Sequence, residues 1–117
     1  RAADASASVD LKAHGTRPFV DAARIYALAA GLERTNTSAR LRLSGDRLGM
    51  PREEIESMVA AFHFALLFRM RNQHLAPGND PNRIDPESLN DIDRRILKEV
   101  FRQARTLQSR LSLDFQL

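Results

Sequence analysis

The sequence has no cysteine, no tryptophan, a single tyrosine and no long apolar run. Without cysteine the chain can form neither disulfides nor thiolate metal sites, which fits a reducing compartment such as the cytoplasm. The longest apolar stretch, around Phe64 to Phe68, is far shorter than the roughly 18 residues that cross a bilayer. The start of the chain lacks an initiator Met and the layout of a signal peptide. We therefore expect a fragment of a longer cytoplasmic protein without membrane contact.

The chain has the size of a single domain. Its 117 residues, 43% of them hydrophobic, suffice for one globular domain with one core and leave no room for a second. The first residues are small and polar, so residues 1–8 are interpreted as a linker or disordered tail. The predicted domain covers residues 9–117.

Basic residues outnumber acidic ones. The net charge is +3, and all but Lys12 and Lys98 of the 18 basic residues are Arg. Such an excess suggests an anionic partner, because Arg can contact phosphate or carboxylate groups through two parallel hydrogen bonds. Acids are nevertheless interspersed with the bases, and only residues 94–110 are strongly lopsided. That segment offers charge without base-reading or stacking residues, so the sequence disfavours nucleic acid as the partner.

Proline and glycine divide the first half of the chain into helical segments. Pro18 suits the first position of a helix and Gly31 the position just beyond its end, which predicts a first helix between them. Its residues are apolar on most sides, so we expect it to be buried. The Thr-Asn-Thr segment 35–37 offers N-cap residues for a short second helix over 37–44, ended by Gly45.

Two longer helices follow. Pro51 opens the third, whose first turns are acidic as the helix dipole favours, and it runs to about Leu75. The segment 77–81 is rich in proline and glycine and ends it. A fourth helix begins between Pro86 and Asp91. It aligns apolar residues at three- and four-residue spacing: Ile92, Ile96, Val100, Ala104, Leu107 and Leu111.

The remaining pattern defines the fold class. Residues 9–12 alternate between apolar and charged types and residues 13–16 break the alternation, which predicts a short extended arm before the first helix. No segment shows sustained strand alternation, and the connections are short. The sequence therefore predicts an all-α fold, an antiparallel helical bundle of four main helices with a short extended N-terminal arm.

Polar residues interrupt faces that are otherwise apolar. On the long helix, Arg69 and Gln73 continue the spacing of an apolar stripe formed by Ile55, Val59, Phe62 and Leu66. We expect both to face the interior or the end of the bundle. An unpaired buried guanidinium is costly, so a carboxylate should meet Arg69, and Asp10 and Asp85 are the candidates. Asp85 is open to a second interpretation, as the cap of the last helix.

The first helix has only two charges, Asp21 and Arg24. Residues three apart are neighbours on a helix surface. Their spacing predicts that they pair with each other.

Catalytic signatures are missing from the sequence. Nucleotidyl transfer needs a Gly-Ser phosphate loop and paired acids that hold metal, and no such acids follow Ser44-Gly45. Asp91 and Asp93 stand at a helix start, where acids are favoured for structural reasons. His63 and His74 could share a helix face but lack a third metal ligand. The sequence predicts no catalytic residue, no metal site and no cofactor in this domain.

Seven separated motifs stand out over residues 9–115. They are Asp10-Leu11-Lys12, Ala23-Arg24, Thr35-Asn36-Thr37 with Arg40-Leu41, Leu67-Phe68-Arg69 with Gln73, Asn82-Arg83-Ile84-Asp85-Pro86 with Leu89, Leu97-Lys98, and Gln108. Their order and gaps resemble the bacterial nucleotidyltransferase substrate-binding domain. Position by position, the resemblance implies ten candidate substrate-binding residues, which are Asp10, Lys12, Arg24, Thr37, Arg40, Arg69, Gln73, Asn82, Asp85 and Lys98.

The resemblance implies a helical, non-catalytic domain that binds or positions substrate. In this family the domain follows a nucleotidyltransferase core in signal-transduction proteins, often behind cyclic-nucleotide-binding and CBS domains. Nucleoside triphosphate and Mg are then implied for the upstream core, which together with the sensor domains would be the partner within the same chain. The substrate could be a protein or a nucleotide, and a homodimer stays open. The alternative is a regulatory helical interaction module that transmits signals from the sensor domains without substrate contact.

Overall fold

Four helices make up most of the chain, as predicted, in a computed structural model that describes residues 8–32 and 36–116. The elements in chain order are β1 (Val9–Asp10), a π-helical turn (Lys12–Thr16), α1 (Arg17–Ala29), α2 (Thr37–Arg47), α3 (Arg52–Leu75), β2 (Arg83–Ile84), a 3-10 turn (Pro86–Ser88) and α4 (Asp91–Phe115). The all-α bundle is therefore confirmed. The predicted tail, residues 1–8, lies outside the described residues except for Ser8.

The helices surround one apolar core. Helix α1 packs against α2 and α4, and α3 packs against the same two neighbours. Phe19 of α1 is fully buried, and its ring centroid lies 5.9 Å from that of Phe62 on α3. The bundle measures 47 × 25 × 24 Å along its principal axes. None of the helices in the described ranges combines the length and the apolarity needed to cross a bilayer.

The first two helices begin where the sequence predicted. Pro18 lies in the first turn of α1, and Gly31 follows its end with a φ of +69°, a left-handed conformation that glycine adopts without strain. The Asn36 side chain caps α2 by accepting a hydrogen bond from the Ala39 N–H at 3.1 Å. Thr35, the neighbouring cap candidate, lies outside the described residues.

The predicted role of Gly45 is wrong. Gly45 lies inside α2, which continues to Arg47, and Gly49, with a φ of +71°, follows the helix end instead. A Cβ atom at Gly45 would lie only 2.7 Å from Ile55 Cγ1. The missing side chain therefore lets α2 and α3 approach closely, and a helix held by such packing tolerates an internal glycine.

The last helix begins at Asp91 and is capped by Asn90, whose side chain accepts from the Asp93 N–H at 2.8 Å. Asp85 does not cap this helix, because it accepts from the Glu87 N–H and caps the preceding 3-10 turn. The predicted apolar stripe of this helix is also wrong at its start, since Ile92 is 69% exposed. The buried stripe of α4 consists of Leu97, Val100, Ala104, Leu107 and Leu111.

The N-terminal arm is shorter than predicted. Only β1 is extended, and it pairs antiparallel with β2, with Val9 opposite Ile84 and Asp10 opposite Arg83. Residues 12–16 do not break the chain but form a π-helical turn that continues into α1. Gly15 is buried in this turn, where a Cβ would touch Ala65 of α3 and Phe101 of α4, both at 3.6 Å. Close packing between two helices thus fixes a segment that looks irregular in the sequence.

A second, smaller apolar cluster closes the end of the bundle near the arm. It consists of Leu11, Phe68, Ile84 and Leu97. We call these four residues the arm cluster. It is the packing on which the pairing of β1 with β2 depends.

Candidate functional site

Three chain segments meet beside the arm cluster and bring several predicted site residues together. Leu11 donates its backbone N–H to the Asn82 carbonyl at 2.6 Å, and Arg69 donates its Nε to the Asn82 Oδ1 at 3.1 Å. Asn72 donates its Nδ2 to the carbonyls of Pro81 and Arg83, at 3.1 and 3.3 Å. We call this region, made of residues 9–12 and 81–85 with Arg69 and Asn72 of α3, the arm end.

Arg69 is half-buried at the arm end and is held by an amide rather than by a carboxylate. The predicted ion pair with Asp10 or Asp85 is wrong, since within the described ranges neither acid pairs with Arg69. Asn82 fixes the guanidinium at its Nε. Its two Nη groups make no hydrogen bond to any residue that the structure describes. They are therefore donors available to a bound anion.

The apolar face of α3 turns away from the predicted stripe in its second half. Leu66 is 39% exposed, whereas Ala65 and Phe68 are buried. Arg69 consequently lies at the edge of the interior face, and Gln73 is exposed rather than directed inward. The predicted stripe alternates steps of four and three residues, and such a repeat drifts by roughly 20° every seven residues around a helix of 3.6 residues per turn. The extrapolation from Ile55 to Gln73 therefore leaves the interior face.

Asp10 organises the backbone of the arm end. Its Oδ1 accepts hydrogen bonds from the N–H groups of Lys12 at 2.9 Å and Ala13 at 3.1 Å. The N–H of Ala13, with a smaller contribution from that of Lys12, lowers the pKa of Asp10. Asp10 thus caps the π-helical turn and leaves Lys12 exposed at its start. Asp85 caps the 3-10 turn in the same manner.

An open depression of about 580 Å³ lies beside the arm end, at the C-terminal end of α3. It is lined by Asn72, Leu75, Ala76, Gly78, Asn79, Asp80 and Arg83. Arg83 was part of a recognised motif but was not a candidate site residue. Asn72 gave no signal in the sequence, because its role depends on where the 76–83 loop returns.

Five candidates lie outside the arm end, and one of them, Gln73, is exposed on α3. Arg24, Thr37 and Arg40 belong to α1 and α2, which contribute no residue to the arm cluster among the described ranges. Arg24 is exposed and, where the structure describes the chain, forms no ion pair with Asp21, so the predicted pairing is wrong. Lys98 is exposed on α4 next to the buried Leu97. The ten candidates therefore do not form one continuous site.

The basic segment 94–110 is partly neutralised by internal contacts. Arg94 donates to the carbonyls of Pro86 and Leu89 at 3.0 and 2.9 Å, and it also contacts Asp91. Two further ion pairs of this segment are Arg102 with Glu99 and Arg110 with Glu54. Part of the positive charge of segment 94–110 is thus neutralised by contacts within the domain.

His, Asp and Glu are the side chains of this sequence best suited to hold a metal ion. Over the described ranges no three of these residues come together in a cluster with that capacity. His63 instead contacts Ser38, with 2.8 Å between Nε2 and Oγ. The arrangement of residues at the arm end offers hydrogen-bond donors and positively charged side chains.

A known protein family matches this chain over most of its length. A family model described as "Putative nucleotidyltransferase substrate binding domain" matches residues 1–115. The chain belongs to this family. That description names a substrate-binding domain of a nucleotidyltransferase. It therefore points to an accessory domain and not to the catalytic one. No curated protein and no solved structure matches the chain.

Proposed function

We propose that this domain binds and positions an anionic substrate group at the arm end, while a separate nucleotidyltransferase core performs the chemistry. The observation that carries the proposal is the guanidinium of Arg69, which is held at its Nε by Asn82, while its Nη donors make no hydrogen bond to a residue that the structure describes. A guanidinium already held in one orientation loses little side-chain entropy when it binds phosphate or carboxylate.

The arm end holds two further cations, together with the acids Asp10 and Asp85. Lys12 is exposed at the start of the π-helical turn, and Arg83 lines the neighbouring depression. Asp10 is the nearest acid in sequence to Lys12, but two backbone N–H groups already occupy its Oδ1. Asp10 therefore competes less for the cations than an unsatisfied carboxylate would.

Within a complete enzyme this site would contribute orientation and charge complementarity. A correctly oriented substrate reacts faster because part of the entropy loss has already occurred on binding. Arg and Lys side chains can also neutralise charge on a phosphoryl group. We place the catalytic core, with its nucleoside triphosphate and Mg, upstream in the same protein. A cytoplasmic bacterial signalling context with cyclic-nucleotide-binding or CBS sensor domains rests on the family resemblance alone.

Calorimetric titration with ATP and with inorganic triphosphate tests the proposal. We expect Arg69→Gln to weaken binding of both probes about tenfold, since one charge-assisted hydrogen bond is lost. Lys12→Gln should weaken it less, because its exposed ammonium is screened by salt. Arg105→Gln is the matched control, an exposed Arg on α4 outside the arm end.

Equal effects of Arg69→Gln and Arg105→Gln would contradict the proposal, and so would the absence of binding by the unaltered protein. Circular dichroism of each variant shows that the bundle is still folded.

A second candidate function, a regulatory interaction module without substrate contact, is favoured by a different observation. Large apolar side chains are exposed along α3 and at the start of α4, with Leu67 at 55%, Met70 at 64% and Ile92 at 69%. Contiguous exposed apolar surface commonly marks a protein interaction site. If this candidate is right, Met70→Glu abolishes transmission between sensor and catalytic domains in the full-length protein, while Arg69→Gln leaves it intact.

A further inference from the structure

Seven exposed residues follow a heptad spacing along the outer face of α3. They are Glu53, Ser57, Ala60, Phe64, Leu67, Arg71 and His74, separated alternately by four and three residues. We call them the α3 stripe. This is the spacing at which helices pair along their length. The interior face of α3 already packs in the core, so the stripe is a second face of the helix, on which Arg71 forms an ion pair with Asp93 of α4 at 2.9 Å.

The stripe borders a groove between α3 and α4. One section, of about 510 Å³, is lined by Phe64, Leu67, Phe68, Met70, Arg71, His74, Asp93 and Ile96. A second section, of about 210 Å³, continues from it past Phe64 and Ile96 to the small residues Ser57, Ala60 and Ala61. Large side chains therefore project at one end of the groove, and small ones leave room at the other.

The α3 stripe is complementary to itself when it is read in reverse. With Phe64 at the centre, Leu67 comes opposite Ala60, Arg71 opposite Ser57, and His74 opposite Glu53. Leu67 is 55% exposed, and Ala60 offers the space to receive it. Glu53 lies near the start of α3 and Arg71 near its end, so reversal also brings these opposite charges within about one helical turn of each other.

We propose that a second copy of this chain occupies the groove, with the two α3 helices antiparallel and a two-fold axis beside Phe64. A two-fold axis requires a surface that complements itself, which the α3 stripe provides. A parallel pair would instead set Arg71 against Arg71 and Glu53 against Glu53, with like-charge repulsion. The antiparallel arrangement is the one that the sequence of large, small and charged residues fits.

The interface leaves Arg69 uncovered. Arg69 is two residues from Leu67 and two from Arg71, which is roughly 200° around the helix. The proposal is therefore independent of the substrate-binding function.

Sedimentation equilibrium of the full chain tests for the dimer. We expect a mass of twice 13.2 kDa for the unaltered protein. Leu67→Glu should yield the monomer, because it places two carboxylates in an apolar interface. Leu28→Glu is the matched control, since Leu28 is 71% exposed but lies on α1, and this variant should remain dimeric. A monomeric unaltered protein, or the same response in both variants, would overturn the proposal and leave the groove to a different partner.

Cysteine cross-linking tests the register, and the chain has no cysteine of its own to interfere. Under mild oxidation we expect Phe64→Cys to link to itself, and an equimolar mixture of Ala60→Cys with Leu67→Cys to give the mixed dimer in excess. Disulfides form only where Cα atoms approach within about 7 Å. Self-linked Leu67→Cys as the dominant product would indicate parallel helices and overturn the proposal, as would Leu28→Cys linking as fast as Phe64→Cys.

Discussion

Apolar contacts hold both the bundle core and the arm cluster together, but the two regions are built from different sets of chain segments. The core draws on all four helices, with several buried residues each from α1, α3 and α4 and with Leu41 from α2. The arm cluster has four buried residues, and each comes from a different segment: Leu11, Phe68, Ile84 and Leu97. β1 and β2 are two residues long, which is too short for an independent hairpin. The arm end is therefore stable only while this cluster is packed.

This difference bears on function. Regions with few buried contacts open more readily than the core of the same protein. The arm end, where the candidate binding groups lie, should open locally before the bundle unfolds. A ligand that bridges α3 and the arm would then stabilise the weaker of the two regions.

The largest loss of stability is expected for a substitution in the bundle core. Phe19→Ala should lower the free energy of unfolding by about 4 kcal/mol, because it removes a fully buried ring and leaves a cavity against Phe62. Urea denaturation followed by circular dichroism measures the loss. Leu28→Ala on the same helix, at an exposed position, should change it by less than about 0.5 kcal/mol. A loss at Phe19 no larger than this control would refute the assigned core.

The second largest loss of stability is expected for a substitution in the arm cluster. Leu11→Ala removes a fully buried side chain and should cost about 3 kcal/mol. Because Leu11 belongs to the arm cluster and Ala23 to the core, hydrogen exchange in this variant should accelerate far more at the amides of residue 11 and Ile84 than at the amide of Ala23 in α1. Uniform acceleration across the protein would show that arm and bundle open together, which would contradict local opening of the arm end.

A smaller effect is expected at the link between the arm and α3. Asn82→Ala leaves the half-buried Arg69 without its amide partner and should cost about 1 kcal/mol. Urea denaturation measures this loss. Arg69→Met, which keeps most of the apolar stem, should cost less because no guanidinium is left without a partner. A larger loss for Arg69→Met would mean that Arg69 makes contacts beyond Asn82.

The smallest effect concerns pH. The pKa of Asp10 is lower in the folded chain than the ordinary value of 3.8. Its contribution to stability is therefore fully present above that value and is lost as the pH falls through the lower, folded pKa. Asp10→Asn keeps a cap that accepts the same N–H groups, so at neutral pH we expect a change of less than about 0.5 kcal/mol. Urea denaturation between pH 2 and 5, on the order of the range where Asp titrates, should show a weaker pH dependence in the variant. An unchanged pH dependence would contradict the cap.

Much of the fold could be predicted from local signals. Pro18, Asn36, Gly31 and the 77–81 breaker act within one helical turn of their own position, and the structure places helix ends beside them. Gly45 and the 12–16 turn could not be predicted in this way. Both are decided by a neighbouring helix, Ile55 of α3 in one case and Ala65 and Phe101 in the other.

The candidate site could be predicted only in part. The resemblance selected Asp10, Lys12, Arg69 and Asn82, which the structure brings to the arm end. It also selected Arg24, which lies exposed on α1, and it passed over Asn72. Motif order along a chain does not distinguish residues that meet from residues that are merely spaced alike.

The sequence by itself determined the helices, their approximate limits, the all-α class and the family, because these depend on periodicity, capping and motif order along one chain. Only the tertiary structure decided that Arg69 meets an amide instead of a carboxylate, and that residues 12–16 form a π-helical turn. Both outcomes depend on which groups approach each other across long sequence separations. Packing energy settles that question, and no local pattern encodes it.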